Sequence, residues 1–258
     1  MAAADIDLQR KLPWSALGAR ALYLDVDGTL LDIAPTPDSV EVPAGLIDSL
    51  AAVAKRLDGA LALVSGRPIG ALDQLFRPLR VAAVGIHGAE VRTAGGPVRT
   101  ADYLSRQLDG VRNALAETIT QWPGAVLEDK GIALALHYRA SKVDARVIGR
   151  ALQNMADLAG PEFILMQGKQ VFEIKAAALS KASGIAALHG TKPFAGRVPV
   201  CIGDDVTDES AFGYANDNRG LSIHVGHSPT TLAQFRVTAP AEVRAWIAGL
   251  ATNGESPS

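Results

Sequence analysis

The stretch Tyr23-Leu24-Asp25-Val26-Asp27-Gly28-Thr29-Leu30-Leu31 places two carboxylates, spaced i and i+2, directly after a short apolar run. Residues 21–26 have the pattern of a buried β-strand. In parallel α/β proteins, ligands bind at the carboxyl ends of the strands. Two acids on a glycine-containing turn at such an end therefore mark a candidate site, for which other parts of the chain must supply partners.

The composition narrows the class of protein. The chain has 258 residues, of which 48% are hydrophobic and 20% charged, and its formal charge is −2. These values fit a globular protein and argue against a generic nucleic-acid binder. The single cysteine, Cys201, excludes an intrachain disulfide and a cysteine-based zinc site. No apolar segment has the length of a signal peptide or a membrane span, so we expect a cytoplasmic protein with no membrane partner. Separately, we expect a monomer.

Two kinds of pattern divide the chain. Short apolar runs separated by helical spacers indicate βαβ units and a parallel sheet; these runs are residues 21–26, 60–64, 81–86 and 198–202. From Tyr103 to Lys175 the pattern reads instead as helix, two strands, helix, two strands, which is typical of a small antiparallel sheet covered by two helices.

These patterns predict the domain boundaries. We expect an α/β core formed by residues 19–99 and 177–250, with an α+β insert at residues 100–176. Residues 1–18 are expected to form a surface leader anchored by Trp14 and Leu17, and residues 251–258 a tail.

Polar residues follow four of the predicted strands. They are Asp25 and Asp27, then Ser65, then His87 with Gly88, and finally Asp204 with Asp205 and Asp208. Converging carboxylates repel one another unless a cation lies among them, and an all-oxygen set of ligands suits Mg²⁺. A magnesium ion with a hydroxyl group and a second cation forms a site for a phosphoryl group. One of two neighbouring acids can then attack phosphorus, while the other holds a proton for the leaving oxygen.

The residues and their order resemble the haloacid dehalogenase (HAD) superfamily of phosphatases. Asp25-Val26-Asp27-Gly28-Thr29 is similar to the first motif, Ser65 to the second, Lys181 to the third and Gly203-Asp204-Asp205 to the fourth. The resemblance implies a Rossmann-like parallel-sheet core. It also implies an inserted αββαββ cap for substrate specificity, because 116 positions separate Ser65 from Lys181.

The resemblance also implies roles for the site residues. Asp25 would be the nucleophile and Asp27 the general acid and base, with Ser65 and Lys181 binding the phosphoryl oxygens. The Asp25 carboxylate, the Asp27 backbone carbonyl and Asp204 would hold Mg²⁺. The roles of three further acids stay open between metal ligand, supporting partner and helix cap: Asp205, Asp208 and Glu209.

The third motif departs from the family pattern. The family usually has Lys-Gly, whereas Lys181 is followed by Ala182 here, and Lys175 is a rival cation. Lys181 is favoured because the amphipathic run at residues 185–188 places it at the start of a helix.

Finer matches resemble the trehalose-6-phosphate phosphatases. They are Val64-Ser65-Gly66-Arg67-Pro68, Gly85-Ile86-His87-Gly88-Ala89-Glu90, Leu127-Glu128-Asp129-Lys130, His137-Tyr138-Arg139, Gly168-Lys169-Gln170-Val171-Phe172-Glu173-Ile174 and Gly203-Asp204-Asp205-Val206-Thr207-Asp208-Glu209. The last, an acid pair followed by Thr-Asp-Glu, is characteristic of that branch. The resemblance implies a magnesium-dependent hydrolysis of trehalose 6-phosphate, the last step of trehalose biosynthesis, and a functional link to trehalose-6-phosphate synthase.

The same resemblance implies two groups of substrate-binding residues. Glu128, Lys130 and Glu173 would read the sugar. A second group would line the substrate site: Thr29, Gly66, Arg67, His87 and Gly88. His137 has two interpretations, a structural ion pair or a substrate contact.

Three other functions are compatible with parts of this pattern. Another capped HAD sugar phosphatase, of the sucrose-phosphate or mannosyl-phosphoglycerate type, is the nearest, and Glu128, Lys130 and Glu173 argue against it. A phospho-accepting signalling module needs neither a second acid at i+2 nor a cap. A catalytically idle sugar-phosphate sensor is disfavoured because every catalytic position is filled.

Overall fold

The computed structural model describes residues 3–34, 39–100 and 106–252, without the side chain of Trp14. The predicted helix start at Tyr103, the Trp14 anchor and residues 253–258 of the predicted tail lie outside the described residues. The chain divides into two units, one formed by Met1–Arg99 with Ser180–Ser258 and the other by Thr100–Leu179.

The described residues form two sheets. Their strands are, in chain order, β1 (Ala4–Asp5), β2 (Arg20–Asp25), β3 (Leu61–Val64), β4 (Ala82–Gly85), β5 (Glu90–Arg92), β6 (Arg99–Thr100), β7 (Val126–Asp129), β8 (Ala133–His137), β9 (Phe163–Gly168), β10 (Val171–Ala176), β11 (Val198–Gly203), β12 (Leu221–Val225) and β13 (Phe235–Val237).

The helices occupy the connections between these strands. They are α1 (Leu8–Lys11), α2 (Leu46–Arg56), α3 (Ile69–Leu75), α4 (Asp109–Thr118), α5 (Ala145–Ala159), α6 (Lys181–His189), α7 (Glu209–Asp217) and α8 (Pro240–Thr252). None of the described helices is long and apolar enough to cross a membrane.

The larger sheet has the order β1-β13-β12-β11-β2-β3-β4-β5-β6. In this order, every neighbouring pair from β1 to β4 is parallel, and β5 is antiparallel to β4. The strand β2 lies in the middle and is buried from Ala21 to Asp25, as expected for a parallel strand covered on both faces. The predicted parallel-sheet α/β core is therefore confirmed.

The smaller sheet, in the second unit, is antiparallel with the order β7-β8-β10-β9. One face carries the apolar residues Leu134, Leu136 and Ile174, which pack in one cluster with Leu115 of α4 and Leu152 of α5. Side chains alternate between the faces of a strand, so Glu128 and Glu173 lie on the face opposite this cluster. The predicted α+β character of the insert is confirmed.

Residues 3–18 take more part in the core than a surface leader would. β1 pairs in parallel with β13, and Leu8, Leu12 and Leu17 are buried in the main hydrophobic cluster. The indole nitrogen of Trp246 donates a hydrogen bond to the carbonyl of Leu12 at 2.9 Å. A two-residue strand and one helical turn are too short to give a periodic pattern in the sequence.

We expect the variant Leu17→Ala to destabilise the protein by about 2–5 kcal/mol, because it leaves a cavity at a fully buried position. The control is Leu232→Ala, whose side chain is 58% exposed and whose effect should stay within about 0.5 kcal/mol. Urea unfolding followed by circular dichroism measures both. Equal effects of the two substitutions would contradict the packing of the leader described above.

Candidate active site

Asp25 is the last residue of the central strand. Its Cα pairs with that of Val64 on β3, and the preceding residue, Leu24, pairs with Ile202 on β11. The ends of β3 and β11 therefore lie on either side of Asp25. The residues that follow these two neighbouring strands are Ser65 and Asp204, as the strand-end pattern predicts.

The first motif then folds into a closed loop. The amides of Thr29, Leu30 and Leu31 donate to the carbonyl of Val26 at 3.3, 3.0 and 2.9 Å, and the Gly28 amide donates to the carbonyl of Leu31 at 2.8 Å. These hydrogen bonds fix the path of the backbone around Asp25 and hold the turn without help from a side chain.

Gly28 allows the first motif to approach the fourth. Its φ of +89° lies in the left-handed region, and a Cβ built there would overlap the Asp204 carboxylate. Both facts require glycine at this position. Gly28 thereby brings the turn that carries Asp27 next to the candidate metal ligand Asp204.

Three buried carboxylates and one ammonium group form the centre of the site. Asp25, Asp204 and Asp208 each offer an oxygen within 4.8 Å of the others. The Lys181 Nζ donates to Asp25 Oδ1 at 2.6 Å and to Asp208 Oδ1 at 2.7 Å. Lys181 is the first residue of α6. Ser180 and Ser183 together form one capping box, which fixes the start of this helix.

The electrostatics of this cluster are those of a cation site. Burial and the Asp208 charge raise the pKa of Asp25 to about 7, although Lys181 opposes the shift. Burial also raises the pKa of Asp208. Burial alone would lower the pKa of Lys181, but Asp208 and Asp25 outweigh it and raise that pKa. With all three acids ionised the cluster carries a formal charge of −2, which a divalent cation would neutralise.

The oxygen donors fit Mg²⁺. Asp25 Oδ2 is buried and makes no hydrogen bond with any residue that the structure describes. Both oxygens of Asp208 are engaged, Oδ1 by Lys181 and Oδ2 by the Asp205 amide at 3.2 Å. Asp25 is therefore suited to be a ligand and Asp208 to be a supporting partner, since Mg²⁺ prefers available oxygen ligands.

The remaining acids of the fourth motif have structural partners. Asp205 caps the turn that precedes α7, in a reciprocal pair with Asp208. Glu209 accepts hydrogen bonds from the Thr231 hydroxyl at 2.7 Å and from the Leu232 amide at 2.6 Å. Glu209 thus holds the loop that precedes β13.

The second motif is tied to an unusual turn. Ser65 is buried, and its hydroxyl accepts a hydrogen bond from the Arg67 amide at 3.1 Å. The His87 amide donates to the Ser65 carbonyl and the Ile86 amide to the Arg67 carbonyl, both at 3.1 Å. The φ angles of Ile86, His87 and Gly88 are +44°, +49° and +103°. Left-handed backbone at a β-branched residue is rare and is found at functional sites, where surrounding contacts stabilise it.

This turn also contacts the third motif. A Cβ at Gly88 would overlap the carbonyl oxygen of Ser180, and a Cβ at Gly66 would lie 2.5 Å from His87 Nε2. The backbone of residues 86–88 therefore packs against both the second motif and the start of α6. Neither a buried Ile nor a lone His signals such a turn in the sequence.

Asp27 is more exposed than the three buried acids. Its Oδ2 accepts a hydrogen bond from Arg67 Nε at 2.7 Å, and its Oδ1 accepts one from Arg67 Nη2 at 2.8 Å. The Asp27 side chain is 36% exposed. This bidentate pair, which joins residues 40 positions apart, was not predicted from the sequence.

Thr29 also belongs to this part of the site. It is completely buried, and its hydroxyl has no hydrogen-bond partner among the described residues.

In the second unit, the predicted sugar-reading residues form a charged cluster of their own. Glu128 pairs with Ala135, and Ala135 pairs with Glu173, so the two acids share one row across three strands. Lys130 Nζ lies 3.6 Å from Glu173 Oε2, and the side chains of this pair are only 7% and 5% exposed. Buried charges of this kind occur mainly where they are paired or bind a ligand.

His137 contacts Glu128 across adjacent strands. Its Nε2 lies 2.9 Å from Glu128 Oε2, which favours the ion-pair interpretation of this histidine. Burial would raise the pKa of Glu128, but the hydrogen bond to His137 and the charge of Lys130 outweigh it and lower that pKa.

The two candidate lysines differ in their contacts. Lys175 donates a hydrogen bond to the carbonyl of Leu179, within the second unit, and burial lowers its pKa. Lys181 is the lysine that contacts Asp25. The Ser180-x-x-Ser183 spacing is the sequence signal that would have identified the helix start more directly.

We expect Mg²⁺ to bind more tightly as the pH rises towards 7 and to level off above it. Below the pKa of Asp25 the ion must displace a proton, so the apparent affinity should fall by up to about tenfold per pH unit. Calorimetric titration with Mg²⁺ at several pH values measures this dependence.

The same titration separates ligands from other acids. Asp204→Asn should abolish binding, whereas Asp217→Asn, at an exposed position, should not alter it. An affinity independent of pH between 5 and 7 would contradict the position of Asp25 in the cation site.

The chain matches the family model for trehalose-phosphatase over residues 23–241. A probable trehalose-phosphate phosphatase of Sinorhizobium fredii is 42% identical, over 90% of this chain and 87% of that protein. The trehalose-6-phosphate phosphatase of Escherichia coli is 40% identical, over 90% and 86%. A bifunctional trehalose-6-phosphate synthase/phosphatase of Thermoproteus tenax is 32% identical, over 84% of this chain and 30% of that protein.

Solved structures give the same relationship. A trehalose-6-phosphate phosphatase related protein has a TM-score of 0.76 and 27% identity, covering 91% of this chain and 98% of that one. A phosphatase of the HAD superfamily from Bacteroides thetaiotaomicron has the same fold, with a TM-score of 0.59, 16% identity and coverage of 89% and 93%. The chain therefore belongs to the trehalose-phosphatase family, within the HAD fold.

Proposed function

We propose that this phosphatase hydrolyses trehalose 6-phosphate to trehalose and phosphate through an aspartyl-phosphate intermediate. The observation that carries the proposal is the buried Asp25–Lys181–Asp208 cluster at the end of the central strand, in a chain of the trehalose-phosphatase family. The cluster combines a nucleophile, a phosphate-binding cation and a set of oxygens for a metal ion.

The chain's own residues account for each step. The Asp25 carboxylate attacks phosphorus, and the P–O bond to the sugar breaks. Asp27 gives a proton to the departing trehalose oxygen, then takes one from the water that hydrolyses the aspartyl-phosphate. The Ser65 hydroxyl and the Lys181 ammonium bind the phosphoryl oxygens through both steps.

Mg²⁺ is the cation that we propose for this site. Asp25, the backbone carbonyl of Asp27 and Asp204 would hold it, and the ion would neutralise charge on the phosphoryl oxygens. The choice of Mg²⁺ is supported by the negative charge of the cluster and by its all-oxygen set of donors.

We assign the recognition of the sugar to the insert, with boundaries near residues 100 and 176. A disaccharide presents many hydroxyl groups, and the paired acids and bases Glu128, Lys130 and Glu173 can donate to and accept from them. Their support is the low exposure of the Lys130–Glu173 pair and its position on the face opposite the apolar cluster.

Three further assignments concern the protein as a whole. Trehalose 6-phosphate joins a glucose unit to glucose 6-phosphate through a glycosidic bond, so we propose a functional link to a synthase that makes this bond, as the two-activity relative suggests. A monomeric state and a cytoplasmic location stay predictions.

We expect phosphate release from trehalose 6-phosphate in preference to sucrose 6-phosphate, mannosyl phosphoglycerate and glucose 6-phosphate, with Mg²⁺ required. Asp25→Asn should lower turnover by at least about 10³-fold, because it removes the nucleophile. A phosphate-release assay over this panel, with and without Mg²⁺, measures both. A preference for another sugar phosphate would replace the substrate assignment, and turnover by Asp25→Asn would overturn the mechanism.

The sugar-reading residues can be tested separately from the chemistry. Glu128→Gln and Glu173→Gln should each raise KM for trehalose 6-phosphate by about 10–100-fold, since each loses a charge-assisted hydrogen bond. Hydrolysis of p-nitrophenyl phosphate, which has no sugar, should not change. Glu117→Gln, an exposed acid of the same unit, is the control. Equal losses on both substrates would show that these acids do not read the sugar.

A further inference from the structure

Arg67 contacts three segments of the first unit, at Asp27, Ser65 and Ile86. Its guanidinium holds both oxygens of Asp27, its amide donates to the Ser65 hydroxyl, and its carbonyl accepts from the Ile86 amide. The backbone bonds fix the start of the Arg67 side chain relative to the second motif. The guanidinium then fixes Asp27 relative to Ser65.

The geometry of the pair restricts what Asp27 can do. A guanidinium fork occupies the facing lone pair of each carboxylate oxygen, and its planar shape sets the orientation of the carboxylate. The Arg67 side chain is 17% exposed, so the pair is partly shielded from water and its hydrogen bonds hold the carboxylate in one place. A loop carboxylate that is 36% exposed would otherwise sample several rotamers.

We propose that Arg67 is the positioning residue of the general acid and base, acting on the reaction through Asp27 rather than through the phosphate. This inference rests on the proposed function and gives Arg67 a different role from the substrate contact that the family resemblance implies. Arg67 keeps the carboxylate pointed at one place during two successive proton transfers.

The proton balance fits this role. The fork occupies one lone pair of each Asp27 oxygen, so a remaining lone pair on this 36% exposed side chain can carry a proton taken from solvent while the fork stays in place. That proton passes to the departing sugar oxygen as the P–O bond breaks, and Asp27 becomes a carboxylate again. It then accepts a proton from the attacking water, and this proton returns to solvent.

The test compares two leaving groups. A sugar alkoxide needs a proton as it departs, whereas p-nitrophenolate departs without one. In single turnovers with enzyme in excess and Mg²⁺ present, Arg67→Met should slow the release of trehalose by about 10–100-fold. This is less than the full contribution of about 10²–10⁴-fold from a general acid, because Asp27 itself remains. The release of p-nitrophenolate should slow by less than about threefold.

A double-mutant cycle gives the second readout. If Arg67 acts through Asp27, the double variant of Arg67→Met with Asp27→Asn should release trehalose no more slowly than Asp27→Asn alone. Arg67→Lys, which keeps the charge but cannot form the fork, should recover only part of the lost rate.

The control is Arg197→Met. Arg197 is also 17% exposed and also pairs with an aspartate, Asp58, through a bond of 3.2 Å. It should leave both release rates unchanged. Its thermal midpoint provides the comparison for any loss of stability in Arg67→Met.

Three outcomes would overturn the proposal. Equal slowing of both leaving groups, with raised substrate constants, would make Arg67 a phosphate ligand. Equal slowing with a lowered thermal midpoint would show that Arg67 has a structural role. Additive rate losses in the double variant would show that Arg67 does not act through Asp27. If the wild type prefers another sugar phosphate, that ester replaces trehalose 6-phosphate in the comparison, so the substrate assignment can fail while the role of Arg67 is still tested.

Discussion

The site depends on one buried ammonium group between two buried carboxylates. Lys181 lies within hydrogen-bond distance of Asp25 and Asp208, which belong to the first and fourth motifs, and it is itself the third. Burying any of these charges alone would be costly, and removing one partner of such a group leaves an uncompensated charge. The three motifs are therefore energetically linked. The position of α6, set by the Ser180 cap, fixes the Lys181 ammonium group and its contacts with Asp25 and Asp208 together.

The second motif is held by backbone rather than by charge. The turn at residues 86–88 donates two amides to the carbonyls of Ser65 and Arg67, and it packs against the start of α6. The left-handed conformations of Ile86 and His87 cost conformational energy. The hydrogen bonds to Ser65 and Arg67 and the packing of Gly88 against Ser180 offset that cost. The turn therefore links the second and third motifs through backbone contacts.

Much of the site could be predicted because its residues end strands or begin helices. Asp25, Ser65, Asp204 and Lys181 are adjacent to apolar runs, and the carboxyl ends of neighbouring parallel strands meet at one edge of a sheet. The change in hydrophobic pattern along the chain likewise predicted the α/β core and the α+β insert. The pairing of Arg67 with Asp27 could not be predicted, since it depends on the rotamers of residues 40 positions apart. The turn at 86–88 carries no glycine where its first two unusual φ angles occur, and β1 is two residues long.

The amino-terminal strand has a consequence for handling this protein. β1 covers the outer edge of β13, where the amides of Ala4 and Ile6 donate to carbonyls of Gln234 and Arg236. Exposed strand edges pair readily with other chains. Removing the first six residues, or displacing them with a bulky fusion, would leave β13 as the edge strand of the sheet. β1 takes the place of β13 as the edge strand at this end of the sheet, and an edge strand of two residues offers few backbone groups to another chain.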